Sequence, residues 1–330
     1  MKRAGGHTGF RPVFRENQKG GIDRERRNRP KITEKRKNTI HGTAQRQTGK
    51  ERTENMSQIN ARMDLADGHS IPTIGFGCYD GYGDEMVQAV RTAAETGYRY
   101  FDSAERYRNE KEVGRGLAES GVRREDLYIL SKIWPSSFGQ TEETFDQTRR
   151  DLGTDYLDAY LIHWPGQDKT ARLKTYEKMM DLRSAGKIRS LGVSNFLPEQ
   201  MEEIKEEFGE YPVIHEMECH PSYGQRELIF RCRARKMQPI AYSPINRAVD
   251  LNSDTVRRLA EKYGRTPAQI VLRWHLEHSV IPIPKSVHGD RIRENFDVYH
   301  FELDAADIIA IDELEAGART GKDPRTFPEA

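Results

Sequence analysis

The chain has 330 residues, of which 35 % are hydrophobic and 32 % are charged, and its mean hydropathy of -0.84 is polar for a globular protein. The net charge of +1 hides an uneven distribution: residues 1–55 hold 16 basic and 6 acidic side chains, whereas residues 56–330 hold 37 and 46. No apolar run approaches the roughly 20 residues of a membrane-spanning helix, and the first residues lack the apolar stretch of a secretory signal, so we expect neither a membrane nor a secreted protein.

The three cysteines, Cys78, Cys219 and Cys232, are an odd number and lack the paired spacing of a zinc site. Cys219-His220 is the only Cys/His doublet, and no second cluster accompanies it. We therefore expect a reduced, cytoplasmic chain with no structural disulfide and no metal.

The basic segment 1–55 contains few large apolar residues, and these follow neither a helical nor a strand period. Such a segment cannot bury enough apolar surface to offset its ordering entropy, so we expect a disordered basic extension ahead of a single domain at 56–330. The charge runs 24–27 and 35–37 leave a contact with nucleic acid open. Aromatic residues for base stacking are not interleaved with them, so a dispensable extension upstream of Met56 is the preferred interpretation and no nucleic-acid partner is expected.

From Met63 onward the sequence is periodic, and Asp67-Gly68 between short apolar segments predicts a β-hairpin. Eight β-rich runs then alternate with amphipathic helical patterns. The predicted strands are 73–79, 98–103, 128–134, 157–164, 188–195, 213–220, 239–245 and 280–285. The predicted helices are 84–95, 110–119, 142–152, 171–185, 198–207, 225–236 and 266–278, with two additional helices at 253–263 and 305–315.

Repeated alternation of strand and helix is typical of a parallel sheet, and eight repeats over about 250 residues match a (β/α)₈ TIM barrel. An open doubly wound sheet is the competing architecture. It commonly carries a glycine fingerprint after its first strand, which Gly75-Phe76-Gly77-Cys78 does not match. We predict an α/β TIM barrel with an N-terminal hairpin and two extra helices.

Four polar residues fall where such a barrel would bring them together. Asp102, Lys132 and His163 interrupt apolar runs near the carboxyl ends of the second, third and fourth predicted strands, where an unpaired buried charge is costly. Tyr107 follows Asp102 by five residues, in a loop able to fold back over the barrel mouth. Each residue alone has a simpler explanation, as a helix cap, a solvated strand end or a core histidine. Jointly, at one level of adjacent strands, they favour a functional site.

The chemistry of these side chains suits carbonyl reduction. A free tyrosine, with a pKa of ~10, is a weak acid at neutral pH. An adjacent ammonium from Lys132, held by Asp102, is expected to lower the pKa of Tyr107 and make it a better proton donor. His163 is placed to align a substrate oxygen. A hydride must come from a cofactor, because no side chain supplies one.

Three segments resemble the signatures of the aldo-keto reductase family. Residues 97–104, followed by Tyr107 and Asn109-Glu110, are similar to the first; 187–196 resemble the second; and 283–286, with Arg291, resemble the third. The similarity runs from about Met63 to the carboxyl terminus and is greatest to bacterial members of the 2,5-diketo-D-gluconate reductase type.

This resemblance implies a monomeric, cytoplasmic NADP-dependent enzyme, of the alcohol dehydrogenase (NADP⁺) kind, that reduces aldehydes and ketones with NADPH. Tyr107 would be the general acid, Lys132 and Asp102 its tuning pair, and His163 the residue that orients the carbonyl. The implied cofactor-binding residues are Ser194 and Asn195 at the nicotinamide carboxamide, Tyr242 on the ring, Ser243 at the pyrophosphate, Lys285, Ser286 and Arg291 at the 2′-phosphate, and Glu294 and Asn295 near the adenine.

The sequence departs from the family pattern at two cofactor positions. Glu216 occupies the place of a glutamine that would both donate to and accept from the carboxamide, whereas an ionised glutamate only accepts. Asn246 replaces a glycine in the loop that meets the pyrophosphate. The short loop after Trp164-Pro165 and the tail of only 29 residues after Phe301 predict an open mouth, with Tyr79, Trp134, His163 and Trp164 facing a small or flat substrate.

Two further functions remain open from sequence alone. One is a non-catalytic barrel that senses NADPH, against which the complete set of four polar residues argues. The other is a cofactor-free barrel enzyme that uses His163 and Asp102 as an acid-base pair.

Overall fold

The computed structural model of the protein describes residues 61–327. The predicted extension 1–55 lies outside the described residues. The predicted hairpin is confirmed: β1 (Arg62–Asp64) pairs antiparallel with β2 (Ser70–Pro72). Buried Leu65 and Ile71 pack against the first residues of the barrel strands, so the hairpin closes the amino-terminal end of the barrel.

Eight parallel strands form one sheet in chain order. They are β3 (Phe76–Gly77), β4 (Tyr100–Asp102), β5 (Tyr128–Ile133), β6 (Leu157–Ile162), β7 (Ile188–Ser194), β8 (Ile214–Glu218), β9 (Gln238–Tyr242) and β10 (Ile281–Pro282). Backbone hydrogen bonds join the two ends of the sheet, from Gly75 N to Pro282 O (3.0 Å) and from Gly77 N to Pro284 O (3.1 Å). They close the sheet into a barrel, and the predicted TIM-barrel fold is confirmed.

Glycine permits this closure. A Cβ on Gly77 would lie 2.8 Å from Ile283 O, and a Cβ on Gly75 would lie 2.8 Å from Ile283 Cγ2 and closer still to the Tyr100 ring. Side chains at these positions would separate the first strand from the last.

Ten α-helices are present among the described residues, besides five short 3₁₀ helices. They are α1 (Gly83–Thr96), α2 (Glu110–Glu119), α3 (Thr141–Asp151), α4 (Lys169–Ser184), α5 (Pro198–Phe208), α6 (Arg226–Ala234), α7 (Asp254–Tyr263), α8 (Pro267–Glu277), α9 (Gly289–Phe296) and α10 (Ala305–Asp312). The predicted extra helices correspond to α7 and α10. The sequence analysis gave no bounds for α9, which is short and mostly charged or polar, and in the barrel it follows β10.

The alternation of side chains along the strands separates two cores. Tyr100, Leu130 and Leu161 point into the barrel, while Phe101 and Ile129 pack outward against the helices. The same two-residue period carries the inner face to Asp102, two residues after Tyr100, and to Lys132, two residues after Leu130. The site residues are therefore inner-face residues at the carboxyl-terminal end of the barrel.

Cys78, Cys219 and Cys232 are buried free thiols. Within residues 61–327, no group of three metal-binding side chains is arranged to hold an ion. In that part of the chain no helix has both the length and the apolar character to cross a membrane.

Candidate active site

Lys132 lies at the centre of the site and is fully buried. Its ammonium donates to Asp102 Oδ1, to Ser103 O at 3.0 Å and to the Tyr107 hydroxyl at 3.5 Å. Burial lowers the pKa of Lys132, but the charge of Asp102 outweighs this effect, and the pKa lies well above its ordinary value. The lysine is therefore a permanent cation within reach of the tyrosine hydroxyl.

Tyr107 ends a short 3₁₀ helix, Glu105–Tyr107, that follows β4. Asn109 holds the start of the next helix by donating its Nδ2 to Cys78 O (2.7 Å) and Gly81 O (2.8 Å). Arg108 between them has a φ of 56°, so the backbone reverses sharply there. This turn brings the tyrosine ring back over the barrel mouth, as the loop length allowed.

The pKa of Tyr107 does not follow the sequence expectation of a lowered value. Burial of the hydroxyl raises the pKa of Tyr107 above its ordinary value, and the ammonium of Lys132 only partly opposes this. The carboxyl groups of Asp102 and Glu216 add to the rise. Lys132 lowers the pKa of Tyr107 as expected, but the expectation left out desolvation, which is the larger effect and makes the net shift upward. The phenol is thus fully protonated at neutral pH.

His163 follows β6 and lies beside the tyrosine. Its ring is 5.5 Å from the Tyr107 ring, and 5.0 Å from the Trp134 ring, measured between centroids. Burial, with the nearby charges of Lys132 and Arg106, lowers the pKa of His163 well below its ordinary value. The imidazole is therefore neutral and carries one N–H donor and one acceptor.

Glu216, on β8, brings a second carboxyl group to Lys132. Its side chain is 2 % exposed, and its Oε2 lies 3.3 Å from the Lys132 Nζ. That contact lacks hydrogen-bond geometry, so Oε2 is a buried atom with no hydrogen-bond partner among the described residues. An unpartnered buried oxygen of this kind fits a site that a polar group of another molecule completes.

Two residues implied for the nicotinamide lie at the end of β7. Asn195 has a φ of 61°, in the left-handed region that asparagine tolerates, and its Nδ2 donates to His163 O (3.0 Å) and Ser194 Oγ (3.0 Å). Tyr242, at the end of β9, donates its hydroxyl to Asn195 Oδ1 (2.7 Å). Ser243 follows with a φ of 50°. Non-glycine residues in such conformations cluster at functional sites.

The residues implied for the adenosine phosphate gather before and within α9. Lys285 donates its Nζ to Asp80 O (2.6 Å), and Ser286 Oγ accepts from His288 N (3.0 Å). Arg291, in the first turns of the helix, is exposed. Two cations and a hydroxyl beside a helix amino terminus suit a phosphate monoester.

Glu294 and Asn295, at the other end of α9, are placed differently. Glu294 Oε1 accepts from Thr266 Oγ1 (2.7 Å), which ties α9 to the start of α8, and Asn295 is buried. The structure thus gives Glu294 a structural partner beside the role implied for it near the adenine.

These residues fit a nicotinamide dinucleotide. The polar groups of Ser194, Asn195 and the unpartnered Glu216 lie together at the carboxyl ends of neighbouring strands, next to Tyr242. They match a carboxamide, which presents one acceptor oxygen and two N–H donors. The cations that suit a phosphate lie on the segment after β10, which is the strand next to β9.

The comparison with known proteins agrees with this geometry. Residues 81–316 match the model of the aldo/keto reductase family. The chain belongs to the aldo-keto reductase family. It is 43 % identical to an aldo-keto reductase of Mycolicibacterium smegmatis over 271 residues, which cover 82 % of this chain and 98 % of that protein. It is 38 % identical to the methylglyoxal reductase DkgA of Escherichia coli K12 over 265 residues, 80 % and 96 % of the two chains.

Solved structures show the same relationship. A variant of Gox0644 in complex with NADPH is similar to this aldo-keto reductase with a TM-score of 0.78 and 34 % identity, covering 82 % of this chain and 99 % of the other. At that level of identity the likeness extends beyond the fold to the family.

The barrel mouth of this aldo-keto reductase is narrower than the open mouth that we predicted from the sequence. Phe327, from the carboxyl-terminal segment, packs edge-on against Trp164 (4.8 Å between ring centroids) and Trp134 (6.0 Å). On the opposite side Tyr79, 57 % exposed, contacts the Tyr107 ring at 5.2 Å. All three aromatic residues expected to face substrate therefore lie at the mouth, and a fourth, which the sequence analysis missed, covers two of them.

The carboxyl-terminal segment is fixed by a group of buried ionisable side chains that we call the tail anchor, consisting of Glu218, His220 and Asp250. His220 lies between the two carboxylates, 3.1 Å from Glu218 Oε1 and 3.2 Å from Asp250 Oδ2. Glu218 also accepts from the backbone N–H groups of Thr320 (2.6 Å) and Gly321 (2.8 Å). The anchor thereby joins the tail to the loop after β9.

Asn246, the residue in place of glycine, belongs to the same network. It adopts a φ of 47°, and its Nδ2 donates to Asp250 Oδ1 (2.9 Å) and Ser222 Oγ (3.0 Å). The departure therefore has a structural use in this chain, since it stiffens the loop that a glycine would leave free.

A further missed residue is Tyr100, whose hydroxyl donates to Asp102 Oδ2 at 2.6 Å. Its position two residues before Asp102, on the same face of β4, was a usable signal. Phe327 gave no comparable signal, because nothing in its local sequence relates it to Trp134 or Trp164.

Proposed function

We propose that this chain is a carbonyl reductase that converts small aldehydes and ketones to alcohols with NADPH, and that Tyr107 supplies the proton. The observation that carries the proposal is the position of the Tyr107 hydroxyl, 3.5 Å from the ammonium of Lys132, which the buried carboxylate of Asp102 holds in place. The neutral imidazole of His163, beside Tyr107, is the fourth member of this group of polar side chains.

NADPH, when bound, supplies the hydride that reaches the carbonyl carbon. The protein's part is to hold the dinucleotide, and we assign this to the residues that the family resemblance implies. Ser194, Asn195 and Glu216 would bind the carboxamide, Tyr242 would pack on the ring, and Ser243 would meet the pyrophosphate. Lys285, Ser286 and Arg291 would bind the 2′-phosphate, with Glu294 and Asn295 near the adenine.

Tyr107 would donate its proton to the carbonyl oxygen as negative charge develops there. The burial that raises its pKa keeps the proton on the phenol until the oxygen becomes the stronger base. Lys132 would then stabilise the phenolate that remains, because its charge is fixed and already desolvated. Asp102 and Tyr100 keep that ammonium in position.

His163 would align the substrate. A neutral imidazole donates one hydrogen bond to the carbonyl oxygen without offering a competing strong acid, and burial beside two cations maintains that neutral state. The rings of Tyr79 and Trp134, which contact Tyr107 and His163, would form apolar walls around the same oxygen position, and Trp164 would face the same space. Such walls suit small or flat carbonyl compounds.

The relatives support a small dicarbonyl or aldehyde as substrate, since one of them is named a methylglyoxal reductase. We also propose a cytoplasmic monomer without a nucleic-acid partner, whose catalytic domain lies within residues 56–330. Every proposed site residue falls in that range, and the three free thiols suit a reducing compartment.

The test is NADPH oxidation with purified protein and added methylglyoxal or 4-nitrobenzaldehyde. We expect steady turnover, and a loss of at least about 100-fold in kcat for Tyr107→Phe, which keeps the ring and removes the proton. Tyr82→Phe, at an exposed ring outside the proposed site, is the matched control and should retain most of the activity. Absence of turnover in the unmodified protein, or an unimpaired Tyr107→Phe variant, would refute the assignment.

A further inference from the structure

The site holds one more carboxyl group than its charges account for. Asp102 and Glu216 both approach the single ammonium of Lys132, and both are almost completely buried, at 1 % exposure each. Two ionised carboxylates around one lysine would leave a buried net negative charge, which is strongly unfavourable.

The hydrogen-bond donors show which carboxyl group carries the charge. Asp102 accepts from Lys132 at Oδ1 and from the Tyr100 hydroxyl at Oδ2, so both of its oxygens are satisfied. Within residues 61–327, Glu216 Oε2 receives no hydrogen bond. A carboxylate is stabilised by the donors it receives, so Asp102 is the ionised partner and Glu216 is the one that takes up a proton.

The ammonium has no N–H to spare for Glu216. Its three donors are directed to Asp102, to Ser103 O and to the Tyr107 hydroxyl. Glu216 Oε2 is nevertheless nearer to the Lys132 Nζ, at 3.3 Å, than the Tyr107 oxygen at 3.5 Å. An ionised Glu216 would therefore compete with the phenol for the third N–H and, being charged, would win it.

We propose that Glu216 works as a neutral carboxylic acid, which leaves Lys132 to Tyr107 and gives the nicotinamide carboxamide the donor and acceptor that a glutamine would provide. This inference rests on the proposed function for its second half only. Glu216 is a positioning residue for Lys132. The added proton gives Glu216 the hydrogen-bond donor that is lost when a glutamate replaces the family's glutamine.

The charged and titratable groups around Glu216 are consistent with a neutral carboxylic acid at this position. Asp102 and Tyr100 face it from β4, Lys132 from β5, Tyr107 from the 3₁₀ helix and Tyr242 from β9, and of these Lys132 is the only cation. Burial, and then the charge of Asp102, raise the pKa of Glu216 well above that of an exposed glutamate.

The decisive experiment compares the full-length protein with Glu216→Gln by infrared spectroscopy at neutral pH. The carbonyl stretch of a protonated carboxylic acid should be present in the unmodified protein, and Glu216→Gln should lose the component that Glu216 contributes. Glu110, whose pKa is raised to about 7, contributes a separate part of this absorption in both proteins, so the difference between the two spectra is measured. Glu218→Gln, which alters a buried glutamate whose pKa is lowered to about 2, is the control and should leave the Glu216 component in place. A spectrum in which Glu216→Gln removes only carboxylate absorption would overturn the proposal.

NADPH binding, measured by quenching of protein fluorescence, gives a second readout. If Glu216 is neutral, Glu216→Gln should bind NADPH with nearly the affinity of the unmodified protein, and Glu216→Ala about tenfold more weakly. If Glu216 were ionised, Glu216→Gln would restore a missing donor and bind at least about tenfold more tightly, which contradicts the proposal. Failure of every variant to bind NADPH, with the infrared band intact, would refute the proposed function and leave the protonation state standing.

Discussion

At the scale of single residues, the site depends on how one ammonium is shared. Lys132 is buried without access to water, and a charge in that position is stable only because Asp102 and two oxygen acceptors surround it. Removal of the lysine would leave the Asp102 charge unpaired in the barrel interior. Substitutions at Lys132 therefore affect folding and chemistry together, whereas Tyr107→Phe isolates the chemistry.

Cofactor preference is tested at a residue outside the barrel interior. Arg291→Ala should raise the KM for NADPH about tenfold and leave the KM for NADH unchanged, because only the 2′-phosphate differs between them and one charge-assisted hydrogen bond contributes about 1.5 kcal/mol. Steady-state kinetics with both cofactors measures this. Arg293→Ala, on the same helix but paired with Asp290, is the control. Equal kcat/KM for the two cofactors in the unmodified enzyme would contradict the assignment.

At the scale of elements, the carboxyl-terminal segment and the loop after β9 behave as one unit. The tail anchor holds both, and Phe327 rests on Trp134 and Trp164 at the end of the same segment. One side of the substrate space is thus built by a segment that contacts the barrel through ionisable side chains and aromatic edges, besides two backbone hydrogen bonds to Ser222 O. Such contacts are more sensitive to pH than an apolar interface.

Glu218→Ala should release the tail. The substitution leaves His220 with one carboxylate and frees two backbone N–H groups, so we expect a loss of about 3 kcal/mol in stability, faster hydrogen exchange at Thr320 and Gly321, and a higher KM for the carbonyl substrate. Glu227→Ala is the control, since Glu227 forms an exposed pair with Arg231. Unchanged exchange at residues 320–321 would show that the anchor does not hold the tail.

The pH dependence of this anchor follows from three shifts. Although burial opposes it, hydrogen bonds lower the pKa of Glu218 to about 2 and that of Asp250 to about 2, and hydrogen bonds to both carboxylates raise the pKa of His220. The carboxylate contribution is present above their ordinary pKa values and is lost as pH falls towards 2. The histidine contribution is present below its ordinary pKa and is lost as pH rises through the raised value. The anchor is therefore strongest in mildly acidic solution.

At the scale of the whole molecule, the sequence predicted the number and order of the strands because each strand and helix has its own local period. The predicted strands are longer than the observed ones. For example, the sequence predicted a strand at 73–79, whereas β3 is Phe76–Gly77. The residues on either side of β3 lie in the segment that pairs near Pro282 or in the loop at the barrel mouth. The clustering of Asp102, Lys132 and His163 followed from their level in the strands. The path of the tail did not, because it depends on contacts between residues far apart in sequence.

Stability of the whole fold should depend on Glu110. Burial raises the pKa of Glu110 to about 7, and hydrogen bonds from Ser131 (2.6 Å) and Thr148 (3.1 Å) only partly oppose it. A raised carboxyl pKa makes folding less favourable as pH rises from its ordinary value to about 7. Glu110→Gln should remove that decline and be more stable at pH 8, by up to about 3 kcal/mol. Chemical denaturation at several pH values measures this, and parallel curves for the two proteins would contradict it.

The seam between Gly75 and Pro282 also governs how the molecule is made. The first barrel strand emerges early in translation, yet the strand it must pair with is synthesised near the end, so a nascent chain exposes an unpaired parallel edge for most of its synthesis. An unpaired edge of this kind attracts other chains. Premature termination before β10 would thus yield aggregates rather than a weakened reductase.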